Sequence, residues 1–481
     1  MSKDFSELVD QGLAFGRMAR QVADLSRLVE TLLEEVRLKD EVIRELRLEV
    51  ARLKRNSGNS SKPPSSDITK PPKTRAADGK KRKIGGQPGH EKHERVPFHP
   101  DQIDEIKPLE LSQCPDCGGA LVLDIKAEPK VQQTVDLPVC PVIVTEYQRP
   151  GFYCEHCKTT HFAPLPQGLV EGQLFGSRLV ALTAFLKGSL HTSYRGIQSF
   201  FSNALGLDVS LGLFPKMIQK ASQSLASAYD ELAMSLRSEP LVHVDETGSK
   251  ENGKRRWVWA FIAKQISLFR YADTRSRLEL DAVLEDFSGI RVSDFYPGYT
   301  KEDEARHQFC NAHLIRDIKF LATLPDEKTC SFGMHLEKDF RVLFKTWHQR
   351  DTLPQESWLQ TMQRILTRIR KRVDKAGYEG AARRLANRIR KYWLSIFRFV
   401  YEPDCPPTNN EAERALRHVA IDRRITQGTR GNNGNRWSER IWTARDTCIK
   451  QGRSLFDFLL KSLLATTENT TPPTLLPIAQ V

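Results

Sequence analysis

The chain has 481 residues, of which 28% are charged, and a formal net charge of +13 at pH 7. This length predicts several domains, one of them with a sizeable core, and the positive charge favours a polyanionic partner such as nucleic acid. A basic soluble protein without such a partner is the alternative. No apolar run of about 18 residues and no apolar signal core are present, which argues against a membrane-spanning or secreted protein. We therefore expect a reducing cytoplasm, where cysteines are metal ligands or buried thiols rather than disulfides.

Residues from about 20 to 54 carry a heptad repeat with apolar a and d positions. The a positions are Val22, Val29, Val36, Ile43 and Val50, and the d positions are Leu25, Leu32, Lys39, Leu46 and Leu53. Valine or isoleucine at a with leucine at d favours a parallel two-stranded coiled coil, and Lys39 weakens the seam but can fix its register. We predict a dimerisation helix over residues 1–55 and a homodimer or higher oligomer. An amphipathic helix that packs on its own chain is the alternative.

A linker follows this helix, because Pro63 and Pro64 stop it within a stretch rich in serine and glycine. We predict a basic disordered linker over residues 56–100. Its cations are expected to follow DNA phosphates, or else only to keep the linker soluble. The cluster assigned to DNA binding is Lys80, Lys81, Arg82 and Lys83.

Two Cys-x-x-Cys pairs lie within residues 101–165. They consist of Cys114, Cys117, Cys154 and Cys157. Four thiolates complete the tetrahedral shell of one structural Zn²⁺ ion, so we predict a zinc-ribbon DNA-binding module. Segments 131–135 and 142–147 are expected to be its strands, with His156 and His161 as substitute ligands. The cysteines expected to be buried thiols are Cys140, Cys330, Cys405 and Cys448.

Residues 166–238 are predicted to be helical. Within them, a helix over 193–204, a turn at Gly206 and a second helix over 211–228 form a helix-turn-helix pattern. The side chains expected to face DNA are Ser210, Lys216, Gln219 and Lys220. Any helical hairpin shows the same pattern, so a purely structural role is the alternative.

The segment 239–324 has the pattern of a mixed sheet. An apolar run ends at Asp245, and a carboxylate at the end of a buried strand is costly unless a cation such as a metal ion pairs with it. Two strands, a helix and a further strand are predicted at 255–263, 266–272, 276–287 and 290–299. The last of them carries Asp294. The order β-β-β-α-β, with acids on the first and fourth strands, suggests a ribonuclease-H-like sheet with a third acid on a later helix.

Residues 325–402 are predicted to be a helical insertion within the catalytic fold. The rest of that fold is expected over 403–466, followed by a disordered tail over 467–481. The insertion has an apolar face and a separate basic face, which is expected to meet either solvent or DNA. The basic face includes Arg364, Arg368 and Arg372.

A helix is predicted to start at Thr408 or Asn409. Glu411 and Glu413 point in directions roughly 160° apart on it, so only one of them can face the two aspartates. The cations expected to contact DNA here are Arg414 and Arg417 on the helix and Arg423 and Arg424 in a basic glycine-rich loop over 421–435.

Four short motifs, in their order along the chain, resemble those of the transposases of insertion-sequence family sixty-six, in the DDE superfamily. They are HVDET at 243–247, SDFYPGY at 293–299, FCNAHLIRDI at 309–318 and TNNEAERALR at 408–417. The resemblance implies a catalytic triad of Asp245, Asp294 and Glu413, because the family pattern Asn-Asn-x-x-Glu-Arg selects Glu413. Thr408 stands where the family has an aspartate, which leaves the triad intact. The resemblance also implies a zinc-binding motif in the first half of the chain.

Cys310 and His313 form a Cys-x-x-His step after the second acid, and such a step recurs in several DDE families. Two residues alone do not make a zinc site. We therefore expect both side chains to give structural support to the catalytic strand.

The fold class is predicted as multidomain α+β, with a coiled coil, a zinc ribbon, a helix-turn-helix region and a ribonuclease-H-like domain interrupted by helices. The resemblance implies a DNA transposase that binds the ends of an insertion sequence and catalyses metal-dependent 3′-end cleavage and strand transfer. Three converging carboxylates repel one another and would hold two Mg²⁺ or Mn²⁺ ions. A ribonuclease-H-like nuclease without strand joining and a non-enzymatic zinc-ribbon DNA-binding regulator are the alternatives.

The expected partners are double-stranded DNA, both as terminal inverted repeats and as target, and they can include helper proteins encoded by the same element. No membrane partner is expected. The resemblance places the protein in the bacterial cytoplasm, at the nucleoid.

Overall fold

The computed structural model describes residues 2–54, 97–109, 113–121, 123–124, 131–138, 141–299 and 306–477. The described chain is a mixture of helices and two sheets and divides into two compact units. The larger unit contains residues 2–54, 150–199 and 209–477, and the smaller one contains the described residues between 97 and 149 together with 200–208. The predicted phosphate-binding cluster (Lys80, Lys81, Arg82 and Lys83) and the predicted buried thiol of Cys140 lie outside the described residues.

The predicted dimerisation segment is one continuous helix, α1 (Ser2–Leu53). Its apolar a and d side chains from Val22 to Leu53 are 44–77% exposed. Lys39, the polar d residue, pairs with Glu35 one turn earlier at 2.7 Å. The apolar seam is therefore open to a partner, and the coiled coil itself stays a prediction. None of the described helices, α1 included, is long and apolar enough to cross a membrane.

The smaller unit has little regular structure in its described residues. It begins with a short 3₁₀ helix, Pro100–Gln102, and the side chain of Gln133 bonds the backbone of Phe98 in both directions, at 2.7 and 3.1 Å. The strands predicted at 131–135 and 142–147 are wrong, because neither segment pairs with a strand. Most of their apolar side chains are exposed to solvent, and Ile143 is 92% exposed.

The strands near the cysteines lie instead on either side of the second Cys-x-x-Cys pair. In the larger unit, β1 (Gly151–Cys154) and β2 (Thr159–Phe162) form an antiparallel hairpin. Lys158 adopts a positive φ of 56° in the turn between them. Every residue of the hairpin except the half-buried Cys154 is exposed, so the hairpin buries almost no apolar surface of its own.

Four helices and a 3₁₀ turn occupy the region predicted to be helical. They are α2 (Ser177–Gly188), α3 (Tyr194–Leu205), α4 (Leu213–Ser224), α5 (Ala226–Ser235) and the 3₁₀ turn Leu236–Ser238. The single helix predicted over 211–228 is wrong, because the chain breaks at Leu225. There the hydroxyl of Ser224 donates to the carbonyl of Ala221 at 2.9 Å, which competes with the helix backbone, and Leu225 is buried between the two helices.

A five-stranded mixed sheet lies within the larger unit. Its strands are β3 (Leu241–Glu251), β4 (Lys254–Ile262), β5 (Ser267–Ala272), β6 (Ile290–Ser293) and β7 (His307–Phe309). The spatial order is β5-β4-β3-β6-β7, with β3, β6 and β7 parallel to one another and β4 antiparallel to both its neighbours. With α6 (Arg277–Val283) before β6, the predicted order β-β-β-α-β is confirmed.

Two predicted strands have wrong ends. β3 does not stop at Asp245 but continues to Glu251, because Asn252 and Gly253, with φ of 49° and 77°, close a tight hairpin to β4. The strand predicted over 290–299 ends at Ser293. Asp294 turns the chain there, since its side chain accepts the backbone N–H two residues ahead at 2.9 Å.

The helical block after β7 is confirmed, although it begins earlier than predicted. It comprises α7 (Asn311–Leu321), α8 (Glu327–Trp347), α9 (Gln355–Asp374), α10 (Gly380–Lys391), α11 (Trp393–Phe397) and the 3₁₀ turn Arg398–Val400. The predicted basic face is wrong in part, because Arg368 and Arg372 bind the buried carboxylate of Asp339 at 2.6 and 2.9 Å. This ion cluster joins α8 to α9, and Arg364 stays exposed.

Both edges of the sheet are covered by helical segments. Three further helices follow, α12 (Asn410–Thr426), α13 (Asn432–Lys450) and α14 (Leu455–Glu468). On α13, Thr447, Thr443 and Glu439 accept hydrogen bonds from three alternate N–H groups of the edge strand β5, at 3.1, 3.0 and 2.8 Å. At the other edge, Arg398 donates to the His307 carbonyl of β7 at 3.2 Å.

The C-terminal region departs from the sequence prediction in two places. The glycine-rich loop predicted over 421–435 is shorter, because α12 continues to Thr426 and α13 starts at Asn432. Gly428, with φ of 96°, lets this loop approach β3, where a side chain would clash with the carbonyl of Lys250. The tail is ordered over its described part, since Leu475 is buried and its carbonyl accepts a hydrogen bond from Gln451 at 2.8 Å.

Candidate active site

The two predicted aspartates lie side by side, Asp245 on β3 and Asp294 directly after the end of the parallel strand β6. His243 pairs with Val292 in the sheet register, so Asp245 and Asp294, each two residues further along, occupy equivalent positions. Side chains at equivalent positions of neighbouring parallel strands point to the same face, with the strands about 4.8 Å apart. The register therefore brings both carboxylates to one point on the sheet face.

Asn409 ties the start of α12 to this point. Its side-chain amide donates to the carbonyl of Val244 at 2.9 Å, and its amide oxygen lies 3.0 Å from Nδ1 of His243. Since an amide oxygen only accepts, Nδ1 of His243 carries the proton. Asn409 occupies the helix cap position, as one of the two predicted alternatives has it, but its side chain makes no capping bond. It is a buried connection between α12 and the middle of β3 instead.

Glu413 follows one turn after Asn409 and stands close to the aspartates. Its charge contributes to the raised pKa of Asp245. Its two carboxylate oxygens lie 3.7 Å from Nδ1 of His313 and 4.0 Å from the guanidinium of Arg316. The first turn of α12 thus adds a third carboxylate to the two on the sheet.

Glu411 points away from this site. It pairs with Arg414 at 3.0 Å and with Lys450 of α13 at 3.6 Å. The structure therefore places Glu413, and not Glu411, beside the two aspartates. Arg414, one of the cations predicted to contact DNA, binds Glu411, because a separation of three residues aligns side chains along a helix.

Burial raises the pKa of the Asp245 carboxyl well above its usual range, and the carboxylates of Glu246, Asp294 and Glu413 raise it further. The backbone N–H of Glu246 donates to Asp245 at 2.9 Å and offsets part of this effect. Gathering like charges in a poorly solvated place is unfavourable unless a cation joins them. Carboxylate oxygens are the ligands that Mg²⁺ and Mn²⁺ prefer, so the group has the chemistry of a site for such ions.

Glu246 is a further buried acid that the sequence reasoning missed. Arg275 and the hydroxyl of Tyr299 bind its two oxygens, and Arg275 lies over the ring of Tyr296 at 3.6 Å from its centroid. Burial raises the pKa of Glu246, whereas these two partners lower it. Glu246 therefore differs from the neighbouring Asp245 carboxyl, because side chains of Arg275 and Tyr299 bind both oxygens of Glu246. The two tyrosines of the SDFYPGY motif, Tyr296 and Tyr299, were the sequence signal that could have identified this buried acid.

Cys310 and His313 lie at the start of α7, behind β6. The sulfur of Cys310 accepts a hydrogen bond from the backbone N–H of Asn409 at 3.1 Å. The backbone N–H of Cys310 donates to the carbonyl of Ser293 at 2.8 Å. These contacts join α7, α12 and β6, which fits the predicted supporting role. Burial raises the pKa of the Cys310 thiol to about 11 and lowers the pKa of the His313 imidazole.

The predicted DNA-contacting cations fall into two groups. The exposed ones among the described residues are Lys216, Arg414, Arg417 and Arg424. Lys220 is half-buried and donates to Gln173 at 2.6 Å. Arg423 donates to the carbonyl of Gly248 and to the hydroxyl of Thr247. Arg423 therefore fastens the last turn of α12 to β3, which differs from the loop position predicted for it.

Each Cys-x-x-Cys pair forms a tight turn. The N–H of Gly118 donates to the Cys114 carbonyl at 2.9 Å, and the N–H of Lys158 donates to the Cys154 carbonyl at the same distance. Backbone N–H groups that point at the Cys114 sulfur, first that of Asp116, lower the pKa of its thiol. Such turns favour thiolates, the form in which cysteine binds zinc.

Cys157 is also disposed to lose its proton. The hydroxyl of Thr159 and then Nε2 of His161, 3.3 Å from the sulfur, lower the pKa of the Cys157 thiol to about 6. The two pairs belong to different compact units, so one zinc site made by all four cysteines stays a prediction. Of the predicted buried thiols, Cys405 and Cys448 are buried and Cys330 is half-buried.

Comparison with known proteins adds the following. The family described as "Transposase IS66 family" matches residues 172–436, more than half of the chain, and this range includes Asp245, Asp294 and Glu413. The "zinc-finger binding domain of transposase IS66" matches residues 112–158, which include both Cys-x-x-Cys pairs. A family of unknown function matches residues 17–96. The chain is 22% identical over 376 residues to the uncharacterized protein y4hP of Sinorhizobium fredii, a match that covers 68% of this chain and 65% of that relative.

Proposed function

Because the chain belongs to the IS66 transposase family, we propose that it is the DNA transposase of an insertion sequence, which cleaves the 3′ ends of the element and joins them to target DNA. The observation that supports this most is the meeting of three carboxylates. Asp245 on β3 and Asp294 directly after β6 lie at equivalent positions of the sheet register, and the buried Asn409 ties the start of the helix that carries Glu413 to β3. Such a group has no role in stabilising the fold, since its members repel one another.

The carboxylates fit a pair of divalent ions. By resemblance to DDE enzymes, Asp245 would contact both ions, whereas Asp294 and Glu413 would hold one each. Oε1 of Glu413 is buried and has no hydrogen-bond partner among the described residues, and a bound ion would coordinate this oxygen. When bound, two Mg²⁺ or Mn²⁺ ions would activate the attacking oxygen and stabilise the leaving 3′ oxygen.

The remaining residues of the site position the carboxylates and the DNA. The bond between Asn409 and His243 keeps the first turn of α12 against β3. The guanidinium of Arg316 lies 4.0 Å from Glu413, where it would bind the scissile phosphate. The exposed Arg417 and Arg424 of α12 extend a basic surface along which phosphates would bind.

The N-terminal half would bring two element ends to such sites. The cysteine pairs would hold one structural Zn²⁺ ion in a DNA-binding module. This module and the region of α3 and α4 would both bind the ends of the element. The open seam of α1 would pair two subunits, which would act in the bacterial cytoplasm at the nucleoid with any helper proteins of the same element.

The test compares two glutamates of one helical turn. Glu413→Gln should lower Mg²⁺-dependent nicking of a terminal-repeat duplex by at least about 1,000-fold, as removal of an essential catalytic group does, while DNA binding persists. Glu411→Gln, the matched control, should keep most activity, because Glu411 pairs with Arg414 and Lys450 rather than with the site. An active Glu413→Gln beside an inactive Glu411→Gln would reject the assignment.

Two other outcomes separate the alternative functions. Nicking without joined products, in an assay that supplies target DNA, would identify a nuclease. Specific DNA binding without any nicking by the wild-type protein, in Mg²⁺ and in Mn²⁺, would identify a regulator.

A further inference from the structure

The starts of α7 and α12 bring a thiol, an imidazole and a carboxylate together. Among the residues that the structure describes, Cys310, His313 and Glu413 form the one group of three histidine, cysteine or acidic side chains whose ligand atoms all lie within 4.8 Å of one another. Two of them come from the Cys-x-x-His step. Cys310 lies directly before α7 and His313 lies in its first turn, so that their ligand atoms come close together. The third is the glutamate of the catalytic group.

Two polar atoms of this group have nothing to bond with. Nδ1 of His313 and Oε1 of Glu413 are buried, and neither has a hydrogen-bond partner in the described parts of the chain. They lie 3.7 Å apart. Leaving such an atom unsatisfied destabilises a protein. Two ligands of a tetrahedral ion, each about 2.0–2.1 Å from it, stand about 3.3 Å apart, so the observed separation needs little adjustment to hold an ion.

The ligand types are those of a softer ion than Mg²⁺. Thiolate and imidazole select Zn²⁺ and related ions, whereas Mg²⁺ prefers oxygen. The sulfur of Cys310 already accepts the backbone N–H of Asn409 at 3.1 Å, an orienting contact of the kind found around metal ligands. On binding, the thiol would release its proton to solvent and the thiolate would bond the ion.

We propose that Cys310, His313 and Glu413 bind a divalent ion of the zinc class, and that this ion competes with the catalytic magnesium ions for Glu413. The first half of the proposal concerns binding alone. The competition rests on the proposed function, in which Glu413 also serves the triad. An ion held by Cys310 and His313 would draw the glutamate towards α7 and away from Asp245 and Asp294.

The test counts zinc in the full-length protein after dialysis against Zn²⁺ in excess Mg²⁺. The wild type should hold about two ions per chain, one at the paired cysteines and one here, and Cys310→Ser should hold about one. Cys448→Ser, which alters another buried thiol, is the matched control and should keep both. If circular dichroism shows that Cys310→Ser is unfolded, His313→Gln provides the same comparison at a less buried position.

A spectroscopic measurement identifies the ligand. In a Cys114→Ser/Cys154→Ser background, Co²⁺ should give a sulfur-to-cobalt charge-transfer band, which a further Cys310→Ser change removes and Cys448→Ser leaves. The proposal is overturned if zinc content and the band are the same with and without Cys310, or if wild-type protein holds zinc only at the paired cysteines. These measurements involve no DNA, so their failure would leave the transposase proposal standing, and absent nicking would leave the binding result standing.

Discussion

The hairpin around the second Cys-x-x-Cys pair and the catalytic sheet hold reactive side chains in place by opposite means. In the hairpin, Phe152, Tyr153 and Phe162 are 61–65% exposed. In the sheet, residues 258–262 of β4 are at most 1% exposed. The sheet can therefore keep its carboxylates together by packing alone, against their repulsion, whereas the hairpin has almost no core, and we expect it to depend on a bound ion.

The cysteines of the two regions show the same contrast. Hydrogen bonds from Thr159 and His161 lower the pKa of the exposed Cys157 thiol to about 6, whereas burial raises the pKa of Cys310 to about 11. One residue type in two similar spacings, Cys-x-x-Cys and Cys-x-x-His, is thus a ready thiolate in one place and a stable thiol in the other. The surroundings, which a motif does not show, set the chemistry.

Removal of zinc should separate the two regions most clearly. A structural zinc site contributes on the order of 10 kcal/mol to folding, so Cys154→Ser or a chelator should unfold the hairpin. Hydrogen exchange should show lost protection at residues 151–162 and unchanged protection at 241–262. Cys405→Ser should change neither segment. A hairpin that stays protected without zinc would mean that packing holds it after all.

A cavity in the core should affect only the sheet, in contrast to the removal of zinc. Phe261 is fully buried in β4, and Phe261→Ala should lower the free energy of unfolding by about 3–5 kcal/mol through the cavity it leaves. Urea unfolding of the catalytic region measures this effect. The zinc content should stay the same, and a loss of zinc together with the loss of stability would show that the two regions fold as one.

Asp245→Asn should stabilise the metal-free protein, because it removes one member of a repelling buried group. We expect a gain of about 1–3 kcal/mol at neutral pH. The folded protein raises the pKa of Asp245, so its destabilising effect is absent below about pH 4, where both states are protonated, and grows as the pH rises. The gain should therefore disappear in acid. Asp351→Asn, at an exposed position, should change stability by less than about 0.5 kcal/mol.

The seam of α1 offers a third case, a surface without a core of its own that we expect to pair with a second chain rather than with an ion. Lys39→Leu should strengthen dimerisation by about 1 kcal/mol per chain, since it adds a partly buried apolar contact at a d position. Sedimentation at low protein concentration measures the dissociation constant. Glu41→Leu, on the outer face of the helix, should leave it unchanged. A protein that is monomeric at micromolar concentration would contradict the coiled coil.

Local patterns predicted what local forces determine. The apolar run of Leu241, Val242 and Val244 identified β3, and the helical spacing of Glu411 and Glu413 showed that only one of them can face the aspartates, because both patterns depend on neighbours in the chain. The family pattern then selected Glu413. The hydrogen bond between Asn409 and His243, which are far apart in the chain, could not be predicted. The sequence does not show whether a polar side chain is solvated or paired with another one. Arg368 and Arg372 appeared to be a surface charge for the same reason, until Asp339 was found between them.

The covered edges of the sheet determine how copies of this protein can meet. An uncovered edge strand offers its backbone to any passing strand and is a common start of aggregation. In the described chain, the outward N–H groups of β5 already bond Thr447, Thr443 and Glu439, so that edge offers a foreign strand few free donors. If several copies of the protein assemble on two DNA ends, as proposed, these bonds would protect them from fusing through their central sheets and leave assembly to the helices.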